Sequence, residues 1–224
     1  MKKVALCSLL TISLWASSAL QIAQEAELRQ DYKKAVRYYK KAAFENNDAQ
    51  AHYKLGIFYY EGTVVKRNFT QTYRSFTKAS LLGHKTARYN LGIFYASKRT
   101  PYFDIQHAYN IFKELAVQGH AGAQNRVGMY LTIGINGVIE KDYKKAVLWL
   151  EKSSKQGYEN AHCNLAYMYA SGKGVWKNMG RAHAFAKDGV KKKNPLCMKV
   201  WREFSLKKYP EDKGFKLKFY NKPQ

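Results

Sequence analysis

The sequence predicts an all-α fold built as an array of stacked helix pairs. The stretch Glu140 to Gly157 places Tyr143, Ala146, Val147 and Leu150 at i, i+3, i+4 and i+7, one face of a helix. Asp142 stands where an aspartate caps free N–H groups and complements the helix dipole. Gly157 stands just past the end, where a left-handed residue is wanted. The pattern also recurs. Asp31, Asn68, Asp104, Asp142 and Asn178 follow one another at spacings of 37, 36, 38 and 36. Four residues after each stands Ala35, Thr72, Ala108, Ala146 or Ala182, and fifteen after each stands Asn46, Gly83, Gly119, Gly157 or Lys193. A period of about 36 residues is the signature of a helical repeat array.

Composition agrees with a packed fold. Apolar residues make up 46% of the 224 and exclude wholesale disorder. The 18 tyrosines fall at helical spacing, which suits repeat packing. A formal net charge of +23 draws the chain toward anionic surfaces without naming one.

Residues 1–19 read as a secretory leader. Lys2 and Lys3 form the charged start, Val4 to Trp15 is too short an apolar run to span a membrane comfortably, and Ser17-Ser18-Ala19 supplies small residues for cleavage after Ala19. Cys7 lies inside the apolar run, which does not suit lipidation. Residues 20–48 form an N-terminal capping helix pair, QIAQEAELRQ followed by the motif from Asp31.

Four repeats follow over 49–193, at about 49–84, 85–120, 121–158 and 159–193. Each first helix begins at an alanine and carries a Leu-Gly-like pair four and five residues on: Leu55-Gly56, Leu91-Gly92, Val127-Gly128 and Leu165-Ala166. Glycine inside a helix costs about 1 kcal/mol, so its recurrence points to close approach of the partner helix. Tyr59, Tyr95 and Tyr169 close the face. The second helices run Asn68–Leu82, Asp104–Gln118, Asp142–Gln156 and Asn178–Lys191. Gly137-Val138 and Gly172-Lys173-Gly174-Val175 turn the chain between helices, Gly62-Thr63-Val64-Val65 does so more weakly, and Pro101 serves the second pair. Asn194-Pro195 reads as an N-cap with proline in the first turn. It opens a C-terminal capping helix over 194–208 with a stripe of Leu196, Val200, Trp201 and Phe204. Residues 209–224 read as a loose basic tail.

The pattern A-x-x-x-L-G-x-x-Y, then G-x-G-V, then D-x-x-K-A-x-x-x-x-x-K-A-A-x-x-G resembles the Sel1-like repeat, a relative of the tetratricopeptide repeat. The third pair, through Asp142-Tyr143-Lys144-Lys145-Ala146-Val147 to Gly157, matches closely in its second half. The second pair lacks the G-x-G-V turn, the third has Tyr130-Leu131 for Met-Tyr, and the fourth has Ala166 for glycine and Lys193 for the closing glycine. The resemblance covers Gln21 to Lys193. It implies a right-handed α-solenoid, and an adaptor that in many bacterial members is exported.

No catalytic, cofactor-binding or metal-ligating set emerges. Ser75…Lys78 and Ser205…Lys208 have S-x-x-K spacing but lack the partner motifs of penicillin-recognising enzymes. A cysteine-rich secreted branch of the family is associated with β-lactam binding and slow hydrolysis, which keeps that activity as an alternative. That branch pairs cysteines in every repeat, whereas here only Cys163 and Cys197 follow the leader. In an oxidising compartment they can form one disulfide or remain two buried thiols. The six histidines show no ligand spacing.

The candidate site is a partner-binding groove. Lys54, Asn90, Arg126 and Asn164 precede the Leu-Gly-like pairs, with His52, Arg88 and His162 nearby. In tetratricopeptide-like stacks the first helices line the concave side, where amides and cations can bond a partner's backbone and carboxylates. The function expected is an exported, non-catalytic scaffold for a protein partner or for anionic envelope lipids or polymers, in the periplasm or outside the cell. Nucleic acid is disfavoured, since the lysines form no recognised nucleic-acid motif.

Overall fold

The structure, a computed structural model, describes residues 18–135, 137–212 and 214. Residues 1–17 of the leader reading over 1–19 and most of the tail reading lie outside them, while Ser18 caps and Ala19 opens the first helix. Among the described residues there are eleven α-helices and no strand; Ile135 and Ile139 form a single bridge. The chain divides into two units at His84–Lys85.

The first unit holds α1 (Ala19–Leu28), α2 (Tyr32–Asn46), α3 (Ala49–Glu61) and α4 (Phe69–Leu81), each packed on the next in pairs α1·α2 and α3·α4, with α2 against α3. The second holds α5 (Lys85–Ala96), α6 (Ile105–Val117), α7 (Ala121–Ile133), α8 (Tyr143–Lys155), α9 (Glu159–Ser171), α10 (Met179–Lys191) and α11 (Pro195–Glu203). Its pairs are α5·α6, α7·α8 and α9·α10, and α11 lies against α9 and α10. This is an all-α solenoid arrangement of consecutive helix pairs.

The recurring Asp or Asn explains where each second helix starts. Asp31, Asn68, Asp104, Asp142 and Asn178 each accept a hydrogen bond from the backbone N–H three residues on. In the four repeats the same residue also donates backward. The N–H groups of Asn68, Asp104, Asp142 and Asn178 bond the carbonyls of Tyr59, Tyr95, Leu131 and Tyr169, each at 2.9 Å. One residue thus caps the second helix and fastens it to the first. Leu131 keeps the register where tyrosine is missing, because the bond uses backbone only.

The closing position behaves as expected in three pairs, with φ of 84°, 90° and 78° at Gly83, Gly119 and Gly157. Lys193 takes the same left-handed conformation at φ 60°. In α2 the turn falls at Asn47, not Asn46: the helix runs 15 residues, and asparagine tolerates the left-handed region. In the second repeat the glycine turn is replaced by Thr100, whose buried hydroxyl donates to the carbonyl of Phe94 at 3.0 Å, within reach of that of Ser97.

The glycines after the leucines are sites of close approach. A Cβ on Gly56 would strike the Phe76 ring, one on Gly92 would lie 2.9 Å from Phe112, and one on Gly128 would lie 2.7 Å from Leu150. The large residue always stands eight after the helix cap. In the fourth repeat that position holds Ala186, and Ala166 replaces the glycine; both are fully buried. The departure from the pattern is a volume exchange across the same contact.

At the C-terminal end, Asn194 accepts from the N–H groups of Leu196 and Cys197, and Pro195 follows it in the first turn. The capping element is shorter than 194–208 as one helix: α11 ends at Glu203 and a 3-10 turn covers Leu206–Lys208. The first tail residues are not loose. Asp212 N–H bonds the Gly180 carbonyl at 3.1 Å, Lys187 meets Glu211 at 2.5 Å, and Arg181 lies 3.5 Å from the Asp212 carboxylate.

Candidate partner-binding site

The structure sorts the sequence-derived site residues into two rows. Residues two apart on a helix point to nearly opposite sides, since each step turns about 100°. His52, Arg88 and His162 stand one residue after the opening alanine and turn toward second helices. Arg88 pairs with Glu114 of α6, and His162 Nε2 lies 3.1 Å from the Ser154 carbonyl of α8. His52 lies in a hollow among α2, α3 and α4. Lys54, Asn90, Arg126 and Asn164 stand two residues later, and Lys54 and Asn164 turn toward the neighbouring first helix of their own unit. Lys54 binds Glu27 of α1 at 2.7 Å, and Glu27 also accepts from the buried Tyr39 hydroxyl. Asn164 donates to the Asn125 oxygen of α7 at 2.8 Å. Asn90 is half-buried on α5.

Arg126, also half-buried, is set among phenols. It acts electrostatically on Tyr130 and Tyr158, and Tyr89 acts on the same two. Burial pushes both Tyr130 and Tyr158 up, with Arg126 pulling the other way. Tyr89 raises Tyr158 further and Asn160 lowers it, so both polar groups act on its hydroxyl. The hydroxyls therefore stay neutral and can donate. Tyr89 is fixed by stacking on His120 at 4.6 Å and by an edge contact to Phe112 at 5.4 Å. A guanidinium, neutral phenols and the half-buried Asn164 amide, held by the buried Asn125, together can take a carboxylate and peptide backbone groups.

Asn125, Tyr89, Tyr130 and Tyr158 were missed by the sequence reading. Tyr89 and Asn125 share one repeat position, two after the alanine, and that column was the available signal. Cys163 occupies it in the fourth repeat and is joined to Cys197 of α11 by a disulfide, with Cα atoms 4.6 Å apart. Among the described residues no group of acids, histidines and cysteines could hold a metal, and no helix is long and apolar enough to cross a membrane.

Consecutive stacked helix pairs that repeat the same caps and close contacts define a helical-repeat protein. The family model described as Sel1 repeat matches residues 24–44, 49–84, 121–158 and 160–187, and the chain belongs to the Sel1 repeat family. The unmatched stretch contains the pair whose glycine turn Thr100 replaces. Sel1 repeats typically mediate protein–protein binding and are generally non-catalytic. No curated protein matches the chain. Among solved structures, the chain is similar to c5321, a protective antigen of uropathogenic Escherichia coli with an SLR fold. The identity is 25% and the TM-score 0.73, over 84% of this chain and 41% of that one. This chain therefore spans less than half the length of that antigen. It is also similar to a Sel1 repeat protein from Oxalobacter formigenes, at 25% identity and TM-score 0.65, over 78% of this chain and 72% of that one.

Proposed function

We propose that the chain is an exported, non-catalytic scaffold that binds a protein partner through the first-helix face around Arg126. The observation that carries this is the guanidinium among Tyr89, Tyr130 and Tyr158. Arginine and tyrosine are the residue types that concentrate binding energy at interfaces. The leader-like start, the Cys163–Cys197 disulfide and the likeness to a protein described as a protective antigen support an exported setting.

The test is a crosslinking pull-down from the native envelope fraction at low and high salt, with the wild type and with Asn90→Ala/Arg126→Ala. One protein retained at both salts, and lost in the double variant with helicity unchanged, is the expected result. Capture only at low salt would make anionic lipids or polymers the ligand. Unchanged capture by the variant would remove the Arg126 face from the reading. Turnover of a chromogenic β-lactam would replace the scaffold reading with the enzymatic alternative.

A further inference from the structure

The first unit carries an open hollow of about 520 Å³, walled by α2 and α4 and floored by α3. Its charged lining residues are all cationic: Lys40 from α2, and Arg74 and Lys78 from α4. Beside them stand Phe44, 90% exposed, and the half-buried Tyr59. Among the described residues no carboxylate lines the hollow to neutralise the three cations. Asp48, at the start of α3, acts on His52 from outside it.

Comparison between repeats singles out His52. Gln124 occupies the same repeat position and donates to the carbonyl of Ala116, eight residues back, at 3.1 Å. His162 meets the carbonyl of Ser154, also eight back, at 3.1 Å. His52 makes no such bond. Its Nε2 is buried and has no hydrogen-bond partner among the described residues. The ring therefore lacks the polar anchor its counterparts have, and an unpaired buried nitrogen is unfavourable until something bonds it. A hollow with three unneutralised cations and one unsatisfied imidazole is incomplete in a way an anion would complete.

We propose that this hollow is a second binding site that takes a short acidic segment of a protein partner carrying an aromatic or aliphatic side chain beside its carboxylate. Lys40, Arg74 and Lys78 meet the carboxylate, and Phe44 and Tyr59 cover the apolar side chain, while a small turn of the His52 ring would bring its unpaired nitrogen to the ligand. The cations and the exposed ring together favour such a segment over a bare phosphate. Phosphate sites commonly use free N–H groups at a helix N-terminus. Here the Ala51 N–H in the first turn of α3 is already taken by Asp48 at 2.7 Å. The wall from Lys40 to Asn47 spans roughly 10 Å, the length of about three extended residues.

The probe is a fluorescein-labelled Glu-Phe-Glu-Phe peptide, titrated into the full chain by fluorescence polarisation. Arg74→Ala/Lys78→Ala should weaken binding about tenfold or more, and Phe44→Ala about threefold, with unchanged far-UV circular dichroism. A Lys-Phe-Lys-Phe peptide should not bind. Arg126→Ala should leave the affinity unchanged, so failure at this hollow and failure of the Arg126 face are read separately. Equal affinity in Arg74→Ala/Lys78→Ala, or no binding to the wild type, would overturn the proposal. So would competition by pyrophosphate or phosphatidylglycerol vesicles as strong in Phe44→Ala as in the wild type, which would make the hollow an anion site indifferent to peptide.

Discussion

A Cβ placed on Gly128 would stand 2.7 Å from Leu150 Cγ and 3.1 Å from the Ala146 carbonyl, so α7 and α8 meet through the space that glycine leaves. Gly128→Ala gains about 1 kcal/mol of helix propensity and loses roughly 1–3 kcal/mol to overpacking. A lower urea midpoint is expected. Leu150→Ala alone should cost about 2–5 kcal/mol, as for any fully buried leucine. The double variant rebuilds the small-small arrangement of Ala166 and Ala186. It should be less destabilised than the two single changes added together, and strict additivity would refute the shared contact.

Stability should fall on mild acidification. Burial is the leading cause that lowers His52, His84 and His120 below the usual 6.5. Lys78 adds to it at His52, while Asp48 opposes it at His52 and His84. The unfolded chain takes up protons near pH 6.5 while the folded chain does not. The stabilisation is therefore fully present above pH 6.5 and is lost as pH falls through the lowered folded values. Thermal unfolding should show a midpoint several degrees lower at pH 5 than at pH 7.5, and a smaller difference in His120→Asn. A flat profile between those values would show that burial does not hold these rings neutral.

The repeat period, the helix caps and the glycine contacts were legible because each depends on one residue type at one helical position. Asn47 was not legible as the turn of α2, since two adjacent asparagines can both take left-handed backbone. The division of the site residues into two rows needed the helical angle between His52 and Lys54, not only their nearness in sequence. The phenols around Arg126 were hidden because tyrosine at helical spacing also serves packing, as the buried Tyr39 does. The hollow draws residues from three helices spread over Lys40 to Lys78, and no local motif announces such a convergence.

The disulfide gives a direct chemical test. Cys163 and Cys197 are 34 residues apart in sequence. Closing a loop of that size is worth about 3–4 kcal/mol in the chain-entropy treatment. Cys163→Ala/Cys197→Ala should lose most of that in denaturant unfolding. Peptide mapping after alkylation should show both cysteines modified only when a reductant was added first. Modification of both without reduction would rule the bond out.

Lys54 separates a structural role from a binding one. Its ammonium lies 2.7 Å from Glu27, whose other oxygen accepts the Tyr39 hydroxyl. Burial and then Glu27 drive the Tyr39 hydroxyl well above its usual range, so it remains a donor at any ordinary pH. Lys54→Met keeps the apolar stem and removes the charge that balances Glu27. Because the pair is about a quarter exposed on each side, solvent screening limits the loss to about 1 kcal/mol. Glu27→Gln should cost at least as much, since it weakens the acceptor of a buried phenol as well. If both variants unfold at the wild-type midpoint while Lys54→Met loses partner capture, Lys54 belongs to the recognition face and the α1–α3 contact stands without it.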